Sequence, residues 1–461
     1  MMKISSKKIA EIVGSISNVI NEDVEKITTD SRTVFKGDLF VAIKGEKFDG
    51  HEFVADVMDK GAAFVIVEKL IADVPAIRQI LVSDTLKAYG DIASYVRSQY
   101  KGIVVGLTGS SGKTTLKEEL KFVLKKFGPI SATEGNFNNH IGVPKSLIDL
   151  DMNSKYAIIE MGMAGYGEIS HLTAMVKPDI AIVNNVYPMH LEFFPEEGVL
   201  GIAKAKAEIF EGLPKGGTAI INNDTNHVDV LVEKAKKADA RIVLFGRHNV
   251  LSQMETNGGW SLECDFDNEV VNYELSARGE HVKYNSLCVL SVVRALNLDV
   301  KKAADFLKDF ETPDGRGRLH ELKLGDGGKY LLIDDSYSGQ PDAVIIGLNA
   351  LNSMKTDGKK IAVLGKMGEL GAHTQEKHIE VGKAAQGTDV KVVIGVGEPA
   401  KDILAQIGDD KEQYYFENKD GLVEFLLNKV LQNNDIIFIK GSHYGSRVFE
   451  VAKELIEKGS Q

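Results

Sequence analysis

"KGIVVGLTGSSGKTTLKEEL", residues 101–120, is the stretch on which the fold of this chain turns. An apolar run, GIVVGLT, leads into a glycine-rich turn, GSSGKTT, and the turn opens a helical pattern, TTLKEELKFVLKKF. Strand, glycine turn and helix in that order make a phosphate cradle. Glycines let backbone N–H groups turn inward, and the helix N-terminus adds its dipole. Gly109, Ser110, Ser111, Gly112, Lys113, Thr114 and Thr115 are thus expected to hold a nucleotide, with Lys113 reaching the terminal phosphates and the Thr114 hydroxyl ligating Mg²⁺. The standard G-x-x-x-x-G-K-[ST] template would start at position 107, where this chain has leucine. The glycines stand instead at Gly106, Gly109 and Gly112, a G-x-x-G-x-x-G-K-T variant. Such a loop does not choose a reaction. An ATPase, a kinase, a switch and a ligase can all begin this way.

Outward from the loop, the chain reads as α/β. The first hundred residues mix short strands, GDLFVAI and AAFVIVE, with helical stretches such as HEFVADVMDKGA. From about residue 101, apolar runs (YAIIEMG, DIAIVNNV, GTAIINND) alternate with polar turns and helices, as buried parallel strands do. The polar stretch TPDGRGRLHEL precedes a further strand set, KYLLIDDS, KKIAVLG, VKVVIGVG and NDIIFIKG. Three units are expected, 1–100, 101–314 and 315–461, the central one built on a mainly parallel sheet. A length of 461 residues supports more than one core.

Composition narrows the function classes. Hydrophobic residues at 43% and charged residues at 26% fit a globular protein. A formal net charge of −11 argues against nucleic acid as a bulk partner, so an anionic substrate must be met by local Lys and Arg. No apolar run reaches the ~18 residues that span a bilayer. The opening MMKISSKKIAEIVGSISNVI lacks the features of a signal peptide. Cys264 and Cys288 are the only cysteines, and they lack metal-ligand spacing. A cytoplasmic protein without membrane insertion is the expectation.

Several polar residues stand at strand ends, where α/β proteins place chemistry. Glu160 closes YAIIEMG and could hold a metal beside the phosphates. His190 follows DIAIVNNV, and Lys206 lies on the helical GIAKAKAEIF; alone, either would pass for a structural residue. GRGRLHEL offers Arg316 and Arg318 to clamp a phosphoryl group, or simply to sit solvated. Asp334 and Asp335 in LLIDDSY suit ribose hydroxyls, a cation or a helix cap. GKMGELG lacks the G-x-G start of a dinucleotide site.

Taken together and in order, these motifs resemble the Mur ligases of peptidoglycan synthesis, most closely the branch that adds D-alanyl-D-alanine. The likeness runs from DSRTVFKGDLFVAIKGEKFDGHEFVADVMDKGAA through GLTGSSGKTT, EGNFNNHIGVPKSLI, AIIEMG, HLEFF and IAKAKAEIF. It closes with GRL, DDSY, AVLGKMGELG and IKGS. The resemblance implies a UDP-sugar-binding first domain, a central ATPase and a Rossmann-like third domain. It implies ATP and Mg²⁺ as cofactors, UDP-MurNAc-tripeptide and D-Ala-D-Ala as substrates, and a monomer. Ser31, Arg32 and Lys44 would then lie near the UDP-sugar, with Asn138 and Asn139 facing the substrate from the central domain. Thr114, Glu160, His190 and Lys206, the last as a carbamate, would hold magnesium. Asn285 would lie near the adenine, Arg318 at the phosphates and Asp335 at the ribose.

The chain also departs from the family pattern. DDSYNANP reads DDSYSGQP, with Ser338, Gly339 and Gln340; NNEIG reads NNHIG at His140. Val282 replaces the first Asn of GxHNxxN, Lys366 stands in GKM for GDM, and His443 ends KGSH for KGSR. The phosphate loop, Glu160, His190 and Lys206 are untouched, so the departures bear on nucleoside detail and on the incoming amine. A sister ligase adding a single amino acid and a nucleotide-binding regulator without turnover remain the alternatives at this stage.

Overall fold

The computed structural model describes residues 2–460 apart from 46–47, 190, 257–258, 277–279, 369 and 443–444. Its centre is a six-stranded parallel sheet in the spatial order Arg241–Phe245, Thr218–Asn222, Ile180–Val183, Ile103–Thr108, Tyr156–Glu160, Ile130–Ala132. Ile180–Val183 and Tyr156–Glu160 are buried throughout. Helices cover both faces, so the strands read as continuous apolar runs rather than alternating ones. From Ile103–Thr108 the chain builds two strands on one side, then crosses to place Ile180–Val183 on the other. That reversal opens a crevice at the carboxyl ends of the central strands. Register pairs Leu107 with Glu160 and Thr108 with Val183, which fixes what lines the crevice.

The first unit is a four-stranded parallel sheet, Ile27–Thr28, Leu39–Val41, Phe64–Val67 and Gln79–Leu81, in chain order. It leads into helix Thr85–Gln99, which Asp84 caps by accepting from Lys87 N at 2.8 Å. The helix buries Ala88, Tyr89, Ile92, Ala93 and Val96 along one stripe and packs on helices Gly142–Ile148 and Glu168–Val176. Arg97 adds a staple, donating from Nε to Val176 O and from Nη2 to Lys177 O, each at 2.7 Å. The sheet changes near residue 100, yet one apolar core runs on from Ile4 to Ala235.

The third unit has a six-stranded sheet ordered Arg318–Lys323, Lys329–Asp334, Ile436–Lys440, Lys360–Gly365, Val392–Val396, Glu412–Phe416. Only its first strand pair is antiparallel. Three α/β units are therefore present, as expected. Sequence reading passed over an antiparallel meander, Val250–Glu255, Trp260–Asp265 and Val270–Leu275. It buries Val271, Tyr273 and Leu275 in the core beside helix Val300–Leu307, and Tyr273 Oη shares a hydrogen bond with Ser286 Oγ of helix Glu280–Ala295 at 2.9 Å.

Within that core lies Glu119, on the phosphate-loop helix Lys113–Leu124, both carboxyl oxygens buried without a hydrogen-bond partner among the described residues. Burial pushes its carboxyl well above the usual value of 4.5. The unfolded chain releases this proton near 4.5 while the folded chain retains it, so stability falls as pH rises from 4.5 towards the folded-state value. Glu119→Leu is therefore expected to be more stable than the parent by about 1–3 kcal/mol at neutral pH, the cost of unpaired buried polar atoms. The gain should shrink below pH 4.5. Urea unfolding at neutral and acidic pH would check this; a constant difference would refute it.

Candidate active site

The strand Ile103–Thr108 delivers the chain to Gly109, and Gly112, at φ +73°, makes the left-handed turn into helix Lys113–Leu124. A side chain there would be strained, which is why this position takes glycine. Neighbouring strand ends pin the loop. Ser110 N donates to Asn185 O at 3.0 Å and Ser111 N to Asn185 Oδ1 at 2.8 Å. Asn185 Nδ2 returns a bond to Ser111 O at 2.9 Å, and Ser110 Oγ accepts from Tyr187 N at 2.9 Å. The Ser110 side chain thus faces the protein, and its role is to shape the loop. Lys113 Nζ donates to Gly109 O at 2.7 Å, across the mouth of the loop.

Beside the loop, Glu160 is 1% exposed. Its two oxygens are divided: Oε2 accepts from Thr114 Oγ1 at 3.2 Å, and Oε1 from Asn138 Nδ2 at 2.7 Å. Its backbone N–H is fixed by Thr133 Oγ1 at 3.1 Å. The structure thereby brings together Thr114, Glu160 and Asn138 from three separate segments. Lys206, on helix Val199–Ala207, is 2% exposed. Burial, and secondarily the Lys113 charge, hold its amine well below the usual lysine range. His190 lies outside the described residues.

Asn285, 1% exposed on helix Glu280–Ala295, accepts at Oδ1 from Asn184 Nδ2 at 3.3 Å. Asn285 Nδ2 and Asn184 Oδ1 are buried without partners among the described residues, a donor and an acceptor suited to a polar ring edge. Asp335 accepts from Lys440 Nζ at 2.6 Å, while Asp334 caps the preceding turn through Gly315 N at 2.8 Å.

The arginine at the loop is Arg316 rather than Arg318. Arg316 Nη2 donates to Thr114 Oγ1 at 3.3 Å, and its guanidinium stacks over Tyr337, 3.9 Å from the ring centre. Arg318 is turned away and tied to Asp314 at 2.7 Å and Glu311 at 2.6 Å. The two stand two residues apart. Arg318 starts the strand Arg318–Lys323, whereas Arg316 lies in the turn before it, whose Gly315 and Gly317 have φ +72° and +82°. Asn139 is used differently from Asn138: its Oδ1 accepts from Ile141 N and Gly142 N and starts helix Gly142–Ile148. Ser31, Arg32 and Lys44 follow the carboxyl ends of the adjacent strands Ile27–Thr28 and Leu39–Val41. Arg32 is 85% exposed and paired with Asp30 at 2.7 Å.

Sequence reading missed Asn184, Asn185 and Thr133. The signal was present in IVNNV, since paired asparagines directly after a buried strand must spend their amides on something. Among the described residues no three His, Cys, Asp or Glu cluster as a metal site. A hydroxyl and a carboxylate at one phosphate loop are nevertheless hard oxygen donors of the kind magnesium takes together with substrate phosphates and water.

Comparison with known proteins places this architecture. Residues 107–293 match the Mur ligase middle domain, 317–443 the Mur ligase glutamate ligase domain, and 23–96 the Mur ligase family catalytic domain. The UDP-N-acetylmuramoyl-tripeptide–D-alanyl-D-alanine ligase of Escherichia coli (strain K12) is 33% identical over 470 residues, covering 100% of both chains. This chain belongs to the Mur ligase family. The corresponding Bacillus subtilis (strain 168) ligase is 31% identical over 99% of both chains. Among solved structures, MurF from Acinetobacter baumannii superposes with a TM-score of 0.89 at 28% identity, covering 99% of this chain and 100% of the other. MurF from Thermotoga maritima in complex with ADP gives 0.79 at 28% identity, covering 94% and 97%. Among the described residues of this Mur ligase, no helix is long and apolar enough to cross a membrane.

Proposed function

We propose that this Mur ligase joins D-alanyl-D-alanine to UDP-N-acetylmuramoyl-tripeptide at the expense of ATP, in the cytoplasm and as a monomer. The observation that carries the proposal is the convergence of Thr114, Glu160 and Asn138 beside Lys113, in a chain whose full-length relatives bear that activity. Thr114, Glu160, Lys206 as a carbamate and His190 would hold magnesium, which when bound supplies charge neutralisation at the phosphate oxygens. The loop N–H groups and Lys113 hold the β- and γ-phosphates. Asn138 keeps Glu160 in place and presents the neighbouring loop to the acceptor.

The acceptor carboxylate oxygen attacks the γ-phosphorus and ADP leaves, giving an acyl phosphate. The free amine of the dipeptide then attacks the carbonyl carbon and loses its proton. That attack forms the C–N bond in a tetrahedral intermediate, from which phosphate departs as the C–O bond breaks. Arg316, stacked on Tyr337 at the edge of the third unit, is positioned to meet charge developing at the transferring group. Ser31, Arg32 and Lys44 serve the UDP-sugar, Asn285 the adenine and Asp335 the ribose. The units divide at about residues 100 and 314.

The test is phosphate release from ATP and Mg²⁺ with UDP-MurNAc-tripeptide, comparing D-Ala-D-Ala with single amino acids. Turnover confined to a single amino acid would move the chain to a sister activity, and nucleotide binding without turnover would make it a regulator. In the same assay Arg316→Ala is expected to lower kcat/KM for ATP by about 10²-fold, the effect of losing one charge-stabilising donor. Arg318→Ala should cost less than a tenth of that, because Arg318 is committed to Glu311 and Asp314. The opposite ranking would return the phosphate contact to Arg318.

A further inference from the structure

Lys117 stands one helical turn beyond Lys113, so both leave the same face of helix Lys113–Leu124. It is 0% exposed. Its Nζ donates to Gly135 O at 2.8 Å, with Glu118 Oε1 3.2 Å away. Burying a lysine nitrogen is costly, and an apolar side chain would fill the same space without that penalty.

The partner explains what the nitrogen does there. Gly135, at φ +50°, is the tip of the segment 133–141 that joins strand Ile130–Ala132 to helix Gly142–Ile148. A side chain at 135 would meet nothing within 4 Å, so the tip is held through its backbone carbonyl. Thr133 fixes the entry by donating its N–H to Ile158 O at 2.9 Å. Asn138 fixes the exit, through Glu160 at 2.7 Å and by accepting at its carbonyl from Gly162 N at 2.8 Å. Between those ties Lys117 connects the tip directly to the helix that starts at the phosphate loop. Asn139 and Phe137, carried on the same segment, are exposed towards solvent.

We propose that Lys117 is a positioning residue for the acceptor: it locks segment 133–139 to the phosphate-loop helix, so that the acceptor carboxylate is delivered in register with the phosphate. The inference rests on the reading of Asn138 and its segment as acceptor-facing. Lys117 touches no reacting atom. Its loss should loosen acceptor placement while leaving the phosphate cradle, anchored by Asn185 and Tyr187, as it is.

The experiment compares Lys117→Met, Lys117→Arg and Asn138→Ala in steady-state phosphate release, titrating ATP and UDP-MurNAc-tripeptide separately. Lys117→Met is expected to raise KM for the UDP-linked acceptor about tenfold and to leave KM for ATP within about twofold, with partial recovery in Lys117→Arg. Should Lys117→Met fail to fold, Lys117→Gln, whose amide falls short of Gly135 O, is read on the same scale. Equal changes in both KM values, a loss in kcat alone, or no change would overturn the proposal. If Asn138→Ala raises the acceptor KM and the Lys117 variants do not, the segment faces the acceptor but Lys117 does not position it. If none of them raises it, the acceptor-facing reading itself fails.

Discussion

Lys113→Ala should abolish ATP-dependent turnover, lowering kcat about 10³-fold or more, because on the proposed function it removes the cation that meets developing phosphoryl charge. The fold has little reason to suffer. Lys113 opens the helix, alanine is the strongest helix former, and the Nζ bond to Gly109 O is internal to the loop. Nucleotide affinity should fall less than turnover, since the N–H groups of residues 109–115 remain, held by Asn185 and Tyr187. Thermal unfolding, ADP affinity and single-turnover phosphate release would be measured together. Turnover within tenfold of the parent would remove Lys113 from the phosphate contact.

A comparable loss is expected at Lys206, for another reason. Burial, and secondarily the Lys113 charge, hold the Lys206 amine well below the usual lysine range, which favours the neutral form, the one that adds CO₂. The carbamate so formed, with loss of the amine proton, would put an anionic oxygen donor on this buried side chain, as the proposed magnesium site requires. Lys206→Ala should therefore cost about 10²–10³-fold in kcat, as loss of a charge-stabilising group does. ¹³C-bicarbonate should give the parent protein, and not the variant, a carbamate resonance. A parent protein that shows full turnover and no such signal in CO₂-saturated buffer would refute the carbamate. The helix tolerates the change: Gly201, Ile202, Ala203 and Ala205 supply its packed face, and alanine favours helix.

Lys113 is legible in the primary structure for a local reason, whereas Lys206 becomes legible only through the ordered set of motifs around it. A phosphate cradle is built from consecutive residues whose backbone does the binding, so GSSGKTT declares itself wherever an apolar strand precedes it and a helix follows. Parallel strands buried on both faces declare themselves in the same way, as the unbroken runs YAIIE and IAIV. In the meander Val250–Leu275 the first strand is exposed at nearly every position and carries no inward period, but the third, Val270–Leu275, alternates exposed and buried, a period-two signal that was there to be read.

What the tertiary structure alone decided was which strand ends meet. Glu160 is 46 residues from Thr114, and Asn285 is 101 from Asn184; only the order of the central sheet and the packing of helix Glu280–Ala295 against the loop helix join them. The choice between Arg316 and Arg318 was likewise beyond the sequence. Arg316 lies in the turn between two left-handed glycines and reaches Thr114, whereas Arg318 lies on the first strand and pairs with Glu311 and Asp314. Sequence thus determined the three α/β units, the phosphate cradle and the family, because each is encoded by contiguous pattern. The tertiary structure determined the partners of Glu160, the arginine beside Thr114 and the buried tie from Lys117 to Gly135, because hydrogen bonds between distant segments leave no periodic trace in the chain.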